Sequence, residues 1–380
     1  MKDKVLVFAN EIYSDQILTG GFNRFKYMLS YFDFNDFDIL TSRSGFNLLK
    51  IDFEKIKLFG VIISSDWFDR VHFLISYIVR TCYSICYLFL NHNKYKVFYS
   101  ISDFFPDVLP AFIFKTKSKK WVQVIHHVCL APGVREGSYV RNFFAYYLQK
   151  FSFYLIKKRS EKVIVVSEFV KKRLLDLGFK EEKIVVSGNA VRIKNLDSEV
   201  EKNFVYDGVF VGRMSEVKGA SDLIKIWKEV CGELQNYKLA LVGGGEKSYV
   251  NYLEKKIQTE KLEHNIFVLG FLNDEEVYKV LWSSRVFLFP SHEEGWGMAI
   301  AEAMACKLPV ISWDLPVYSS IFFNNIIKVP ENNFGFFAKE VVSLLNDNKR
   351  RLELSEKAYN FIKTYNWERV AKKELSIIFS

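Results

Sequence analysis

From Val205 onward the chain alternates short apolar runs with amphipathic segments of helical length, and this alternation constrains its fold more than any other feature. VYDGVFV (205–211) leads through a polar turn into ASDLIKIWKEV, KLALVG (238–243) into YVNYLEKKIQ, NIFVLG into DEEVYKVLWSS and VFLFPS into a helix of small residues, and PVISWD closes the series. Strands of about four to seven apolar residues that alternate with helices form parallel sheets covered on both faces. The second half is therefore predicted to be a doubly wound α/β domain. The first half repeats the habit with KVLVFAN, a helix after Gly20-Gly21, then DILTSR, VFYSI, WVQVIHH and KVIVVS as strands. At 380 residues the chain has the length of two such domains. We expect two Rossmann-like domains facing each other across a cleft, with ligands at the carboxyl ends of the strands. The polar stretch 193–203 suggests boundaries at 1–195 and 196–358, with residues 359–380 a helix that packs back on the first domain.

Composition narrows the function. Half the residues are apolar, and there is no low-complexity tract or fixed-period repeat. The apolar run at the N-terminus is too short for a secretory signal. The five cysteines are scattered in apolar segments, which predicts core thiols in a reducing cytoplasm rather than bridges or a zinc site. The net charge of +9 is localised: residues 71–180 hold 18 Lys and Arg against 6 Asp and Glu. Aromatic residues interleave with that charge in RNFFAYYLQKFSFYLIKKRSEK (141–162). Two readings stand for the surrounding segment 113–162, a solvated basic helix face or a contact with an anionic membrane surface. No recognition motif supports nucleic acid. The apolar segment 72–90 carries Arg80 at its middle, which argues for a buried or surface-docked helix rather than a membrane span.

The chemistry-bearing residues lie in loops at predicted strand ends. Arg213 and Lys218 follow a strand and precede a helix, where a guanidinium and an ammonium suit a diphosphate together with helix-start amides. In PSHEEGWGMAIAEAMA (290–305), Glu294 stands before a glycine turn, Gly297, Met298 and Ala299 supply amides at a helix start, and Glu302 lies about a turn inside. Such amides bind phosphate, and a nearby carboxylate can accept both hydroxyls of a ribose. Two carboxylates also fit glycoside hydrolysis, but the phosphate-binding surroundings favour a nucleotide-sugar. Asp36 to Asp38 form a carboxylate pair reminiscent of metal-binding transferases, yet they precede a strand and read as a solvated turn.

Taken together, EGWGMAIAE (294–302), AMACKLPVIS, GRMSEVKG (212–219), LVGGGE (241–246), VSEFVKKRLLDLGF (166–179) and Gly20-Gly21 resemble the family 4 glycosyltransferases of GT-B fold, in the right order over nearly the whole chain. The resemblance implies a retaining transferase that takes a sugar from a UDP- or GDP-sugar and needs no metal or other cofactor. It implies that Glu294 contacts the donor sugar, Glu302 the ribose, and Arg213 and Lys218 the diphosphate. Gly20, Gly21 and the amides around Met298 complete the donor cradle, and Gly270 and Phe271 contact the base. His126 would face the anomeric centre, with His127 where the family often has Asp. Ala190 and Lys307 stand where the family commonly has glycine. The acceptor is expected to be a glycan or lipid-linked molecule, and the protein to be cytoplasmic, peripheral at the inner face of the membrane. A non-catalytic binding subunit and a nucleotide-sugar epimerase or hydrolase are the rivals.

Overall fold

The computed structural model describes residues 4–11, 19–33, 35–52, 73–193 and 204–380. Most of the expected boundary stretch, from 194 to 203, lies outside them. The chain divides into two units, one of Met1–Pro132, Val140–Asn189 and Trp367–Ser380, the other of Gly133–Tyr139 and Ala190–Asn366.

In the first unit, β1 (Val5–Ala9), β2 (Phe37–Thr41), β3 (Val97–Ser100), β4 (Lys120–Ile125), β5 (Lys162–Val165) and β6 (Ile184–Val186) form a sheet in the order β2-β1-β3-β4-β5-β6. Every pairing in it is parallel. β1 is buried along its whole length, as its unbroken VLVFA predicts for a strand covered on both faces. The chain moves one way from β1 to β2 and the other way from β3 to β6. Right-handed crossovers therefore put the helix Gly20–Met28 on one face and the helices Phe73–Asn91, Phe105–Phe114 and Tyr139–Arg159 on the other.

The second unit repeats the plan with β7 (Tyr206–Val211), β8 (Leu239–Val242), β9 (Ile266–Gly270), β10 (Ser284–Phe289), β11 (Val310–Trp313) and β12 (Ile327–Val329). Their order is β12-β11-β10-β7-β8-β9, again all parallel. Local signals match the elements: NDEE before the helix Asp274–Trp282 is a complete capping box between Asn273 and Glu276.

Four expectations are corrected. The edge strands β6 and β12, three residues each, were not foreseen, because so short a run carries no periodicity. Asp38 is not in a solvated turn: it lies within β2, 6% exposed, receives the Tyr95 hydroxyl at 2.7 Å and pairs with Lys4 at 3.0 Å. Cys129 and Cys306 are core thiols, but Cys82 and Cys86 are exposed. The segment 359–380 is not one helix. Asn348–Ile362 runs across residue 359 within the second unit, and Trp367–Phe379 packs in the first.

That last helix is held by a buried polar cluster. Arg24 and Glu374 form an ion pair with both side chains inaccessible. Arg24 also donates to Asn189 Oδ1 at 2.6 Å and Ser187 Oγ at 2.7 Å, and Tyr99 donates to Glu374 Oε2 at 2.5 Å. Burial alone would raise the Glu374 pKa, but the Arg24 charge outweighs it and the carboxyl sits below its ordinary value.

Candidate functional site

In an open α/β sheet, neighbouring strands whose connections run in opposite directions leave a crevice at their carboxyl ends. In the second unit those strands are β7 and β10, and the loops that follow them carry Arg213, Lys218 and Glu294. The two loops touch. Gly219, at φ +70, ends the 3-10 turn Glu216–Lys218, and a Cβ there would lie 1.9 Å from the Pro290 carbonyl oxygen. Only glycine admits that approach in that conformation.

Lys218 is thereby brought to the second loop. Its Nζ lies 2.5 Å from Glu294 Oε1 and donates to the Glu293 carbonyl at 3.1 Å. Ser291 Oγ donates to the same Glu294 oxygen at 3.2 Å. Arg213 is exposed at the end of β7, where Met214 N donates to the Gly244 carbonyl at 2.9 Å and ties this turn to the glycine loop after β8.

The loop then runs through Gly297, at φ +102, into the helix Met298–Ala305. No side chain caps this helix, so the amides of Met298 and Ala299 keep the partial positive charge of a helix start. Glu302 is half-buried on the same helix, and its charge helps to raise the pKa of buried Tyr278, where burial is the larger cause. Trp296 is buried against Phe322 and Tyr365 at ring distances of 5.5 and 5.8 Å. Gly270 ends β9 at φ +71, and Phe271 beyond it is exposed.

Lys307 occupies the left-handed position after the helix at φ +56, where glycine would carry no penalty. Its ammonium pairs with Glu356 at 2.8 Å and its carbonyl accepts from Ser355 at 2.9 Å. Ala190 is buried.

The remaining assigned residues lie in the first unit. Gly20 and Gly21 begin the helix capped by Thr19, and a Cβ on Gly21 would stand 2.6 Å from His126 Nε2. His126 follows β4 and donates through Nε2 to the Ile101 carbonyl at 2.7 Å. Burial, then the nearby Arg24 charge, pushes its pKa down to about 3, so the ring is neutral at pH 7 with Nδ1 as an acceptor. His127 lies near buried Asp103, and its carbonyl accepts from Gln149 at 3.1 Å.

Two residues escaped the sequence reading. Tyr318 is fully buried, its hydroxyl has no hydrogen-bond partner, and the charge of Glu294 acts on it. Its helix, Pro316–Ile321, carries no motif that points to the site. His292 is held at Nε2 by Asp222 at 2.9 Å and at Nδ1 by Glu331 at 2.6 Å, while its amide donates to the Val217 carbonyl at 2.9 Å. Its position inside PSHEEGWG was the available signal. Burial opposes the charged ring, but the two carboxylates outweigh it and raise the pKa above 6.5.

The sign of the pH effect follows. A raised folded-state pKa gives stability that is complete below the unfolded value and is lost as pH rises through the folded one. The stability of the wild type to urea is expected to weaken as pH rises from about 6.5 through the folded value. In His292→Gln the window should be flat, and an unchanged alkaline loss would remove His292 as its source.

Comparison with known proteins identifies the architecture. Residues 189–361 match the family described as glycosyl transferases group 1. The chain is similar to an uncharacterised glycosyltransferase of Methanocaldococcus jannaschii, 30% identical over 215 residues, which covers 55% of this chain and 57% of that protein. A second uncharacterised glycosyltransferase of the same organism is 24% identical over 318 residues, 78% of this chain and 79% of its own length. Among solved structures, Anabaena HepE in complex with UDP and glucose superposes with a TM-score of 0.76 at 16% identity, covering 100% of both chains. That likeness shows the GT-B fold.

Proposed function

We propose that the chain is a retaining, family 4-like glycosyltransferase that moves a hexose or related sugar from a UDP- or GDP-sugar to a hydroxyl of a lipid-linked or cell-surface glycan. The observation that supports it most is the meeting of Lys218 and Glu294 where β7 and β10 diverge, beside the uncapped start of Met298–Ala305. HepE, of the same fold, is seen with UDP and glucose.

In this reading Arg213, Lys218 and the amides of Gly297, Met298 and Ala299 hold the pyrophosphate. Glu302 accepts the ribose hydroxyls, Glu294 a hydroxyl of the sugar, and the backbone of Gly270 and Phe271 meets the base. Gly20, Gly21 and His126 are assigned by the resemblance alone. The acceptor oxygen attacks the anomeric carbon from the face the leaving group departs. The carbon–oxygen bond to phosphate breaks, the glycosidic bond forms, and the hydroxyl proton passes to the leaving phosphate oxygen. Side-chain cations rather than a metal meet the developing charge, each contributing about 2.7–4 kcal/mol to the transition state. Work at the cytoplasmic face, with segment 113–162 against anionic lipid, completes the proposal.

The test is release of nucleoside diphosphate from a panel of UDP-, GDP- and other activated sugars, with and without membrane extract. A glycosylated acceptor supports transfer, whereas free sugar or an epimerised donor supports a rival. Glu302→Ala is expected to raise the KM for donor by about tenfold to a hundredfold, through loss of charge-assisted hydrogen bonds. An unchanged KM would remove Glu302 from the ribose.

A further inference from the structure

The helix Phe73–Asn91 of the first unit is turned the opposite way to an ordinary surface helix, and Tyr139–Arg159 exposes an aromatic and basic stripe. In Phe73–Asn91 the buried stripe is Ser76, Arg80, Thr81, Ser84 and Leu88, and Arg80 Nη1 donates to the Asn10 carbonyl at 2.6 Å. The outward face is apolar: Ile78 is 62% exposed, Phe89 68% and Leu90 87%. Tyr139–Arg159 buries Phe153, Leu155 and Ile156 together with Asn142, Gln149 and Ser152, while Phe143, Tyr147, Phe151 and Tyr154 are exposed at helical spacing. Lys150 and Lys158 share that exposed stripe.

The two helices are joined by Phe105–Phe114. Phe89 packs on Phe114 at a ring distance of 5.2 Å, Phe105 on Phe151 at 5.8 Å, and Arg159 donates to the Phe112 carbonyl at 2.7 Å. The crossovers set all three on one side of the first sheet. Their sequences contain a single acidic residue, Asp107, and it is fully buried. No helix among the described residues is long and apolar enough to cross a membrane.

We propose that this three-helix face lies in the interfacial layer of an anionic lipid bilayer, with Phe73–Asn91 as the apolar contact and Tyr139–Arg159 as the aromatic and basic one. Apolar side chains enter the boundary between headgroups and acyl chains, aromatic rings sit at headgroup level, and lysines meet the lipid charge. A second copy of the chain fits poorly, because a self-complementary interface would press like-charged lysines together with no carboxylate to answer them. The inference extends the proposed membrane contact of segment 113–162 to a helix outside it, and it does not depend on the transfer reaction.

The test is flotation of the full-length protein with phosphatidylcholine vesicles, alone or with phosphatidylglycerol, at low and high salt. The wild type is expected to float with the anionic vesicles and to be released by salt. Lys150→Glu with Lys158→Glu should weaken partitioning by at least about tenfold, on the scale of roughly 1 kcal/mol for each basic residue near the surface. Ile78→Glu with Leu90→Glu should do the same at low salt, through lost apolar burial. Circular dichroism confirms that the variants fold, which exposed positions permit. Failure of the wild type to float, or flotation of both variants like the wild type, overturns the proposal. A dimer in sedimentation that Ile78→Glu with Leu90→Glu dissociates, without loss of flotation, assigns the face to a second copy instead. Nucleotide release from a soluble donor is read separately, so failure to bind vesicles and failure to turn over are told apart.

Discussion

Lys218→Ala is expected to lower kcat by about 100- to 1000-fold, the usual effect of removing one preorganised donor from a site where negative charge develops. The expectation rests on placement. Lys218 is held by backbone on both sides, through the Gly219 turn against Pro290 and through the Glu293 carbonyl, so its ammonium is oriented before any ligand arrives. If it acts on the departing phosphate, kcat and kcat/KM should fall together, whereas a rise in KM alone would mark a group that binds ground and transition states equally. Lys218→Arg should recover only part of the rate, because a planar fork does not place its charge where a compact ammonium sits. Lys218→Ala leaves Glu294, 12% exposed, with the Ser291 hydroxyl donating to it. A stability cost of about 1–3 kcal/mol follows. Stability and rate should therefore be measured on the same sample, and a rate within tenfold of wild type in a folded variant would remove Lys218 from the chemistry.

Glu374→Ala carries the largest expected effect on stability, a loss of about 3–5 kcal/mol, because it strands the Arg24 guanidinium in the core of the first unit. The pair joins the last helix to the helix Gly20–Met28, and Tyr99, Ser187 and Asn189 complete the cluster. Loss of one member therefore loosens several elements at once. Replacing both Arg24 and Glu374 with apolar residues should cost less than Glu374→Ala alone, and the double-mutant cycle in urea unfolding reads the coupling. Because the Glu374 pKa is depressed, its contribution is present at neutral pH and is lost as pH falls through the folded value. A wild type with no such acid dependence, or a Glu374→Ala variant within 1 kcal/mol of it by the about 1 kcal/mol scale of an ordinary point mutation, would contradict this account.

The helix Phe73–Asn91 shows where sequence reading stops. Its run of apolar residues and its central arginine were plain, and they pointed to a buried or surface-docked helix. Which side of it faces protein was not. A rule that buries the apolar side would have turned it around, but Arg80 finds the Asn10 carbonyl at the end of β1, and the polar stripe follows it inward. Tyr318 was hidden for a related reason, since an aromatic residue in a short helix reads as core wherever it lies.

The alternation of apolar runs and helical segments fixed the doubly wound class, and the strand-end loops it defined already contained Arg213, Lys218 and Glu294, with Glu302 a turn into the helix that follows. Both are local properties, because period and punctuation are written residue by residue. Only the tertiary structure decided the strand order, and with it the contact between Lys218 and a glutamate 76 positions later. It alone set His292 between two carboxylates, joined Arg24 to Glu374 and turned the helix Phe73–Asn91 apolar side outward. Each of these depends on partners distant in the chain, and burial, not spacing, determines which partners meet.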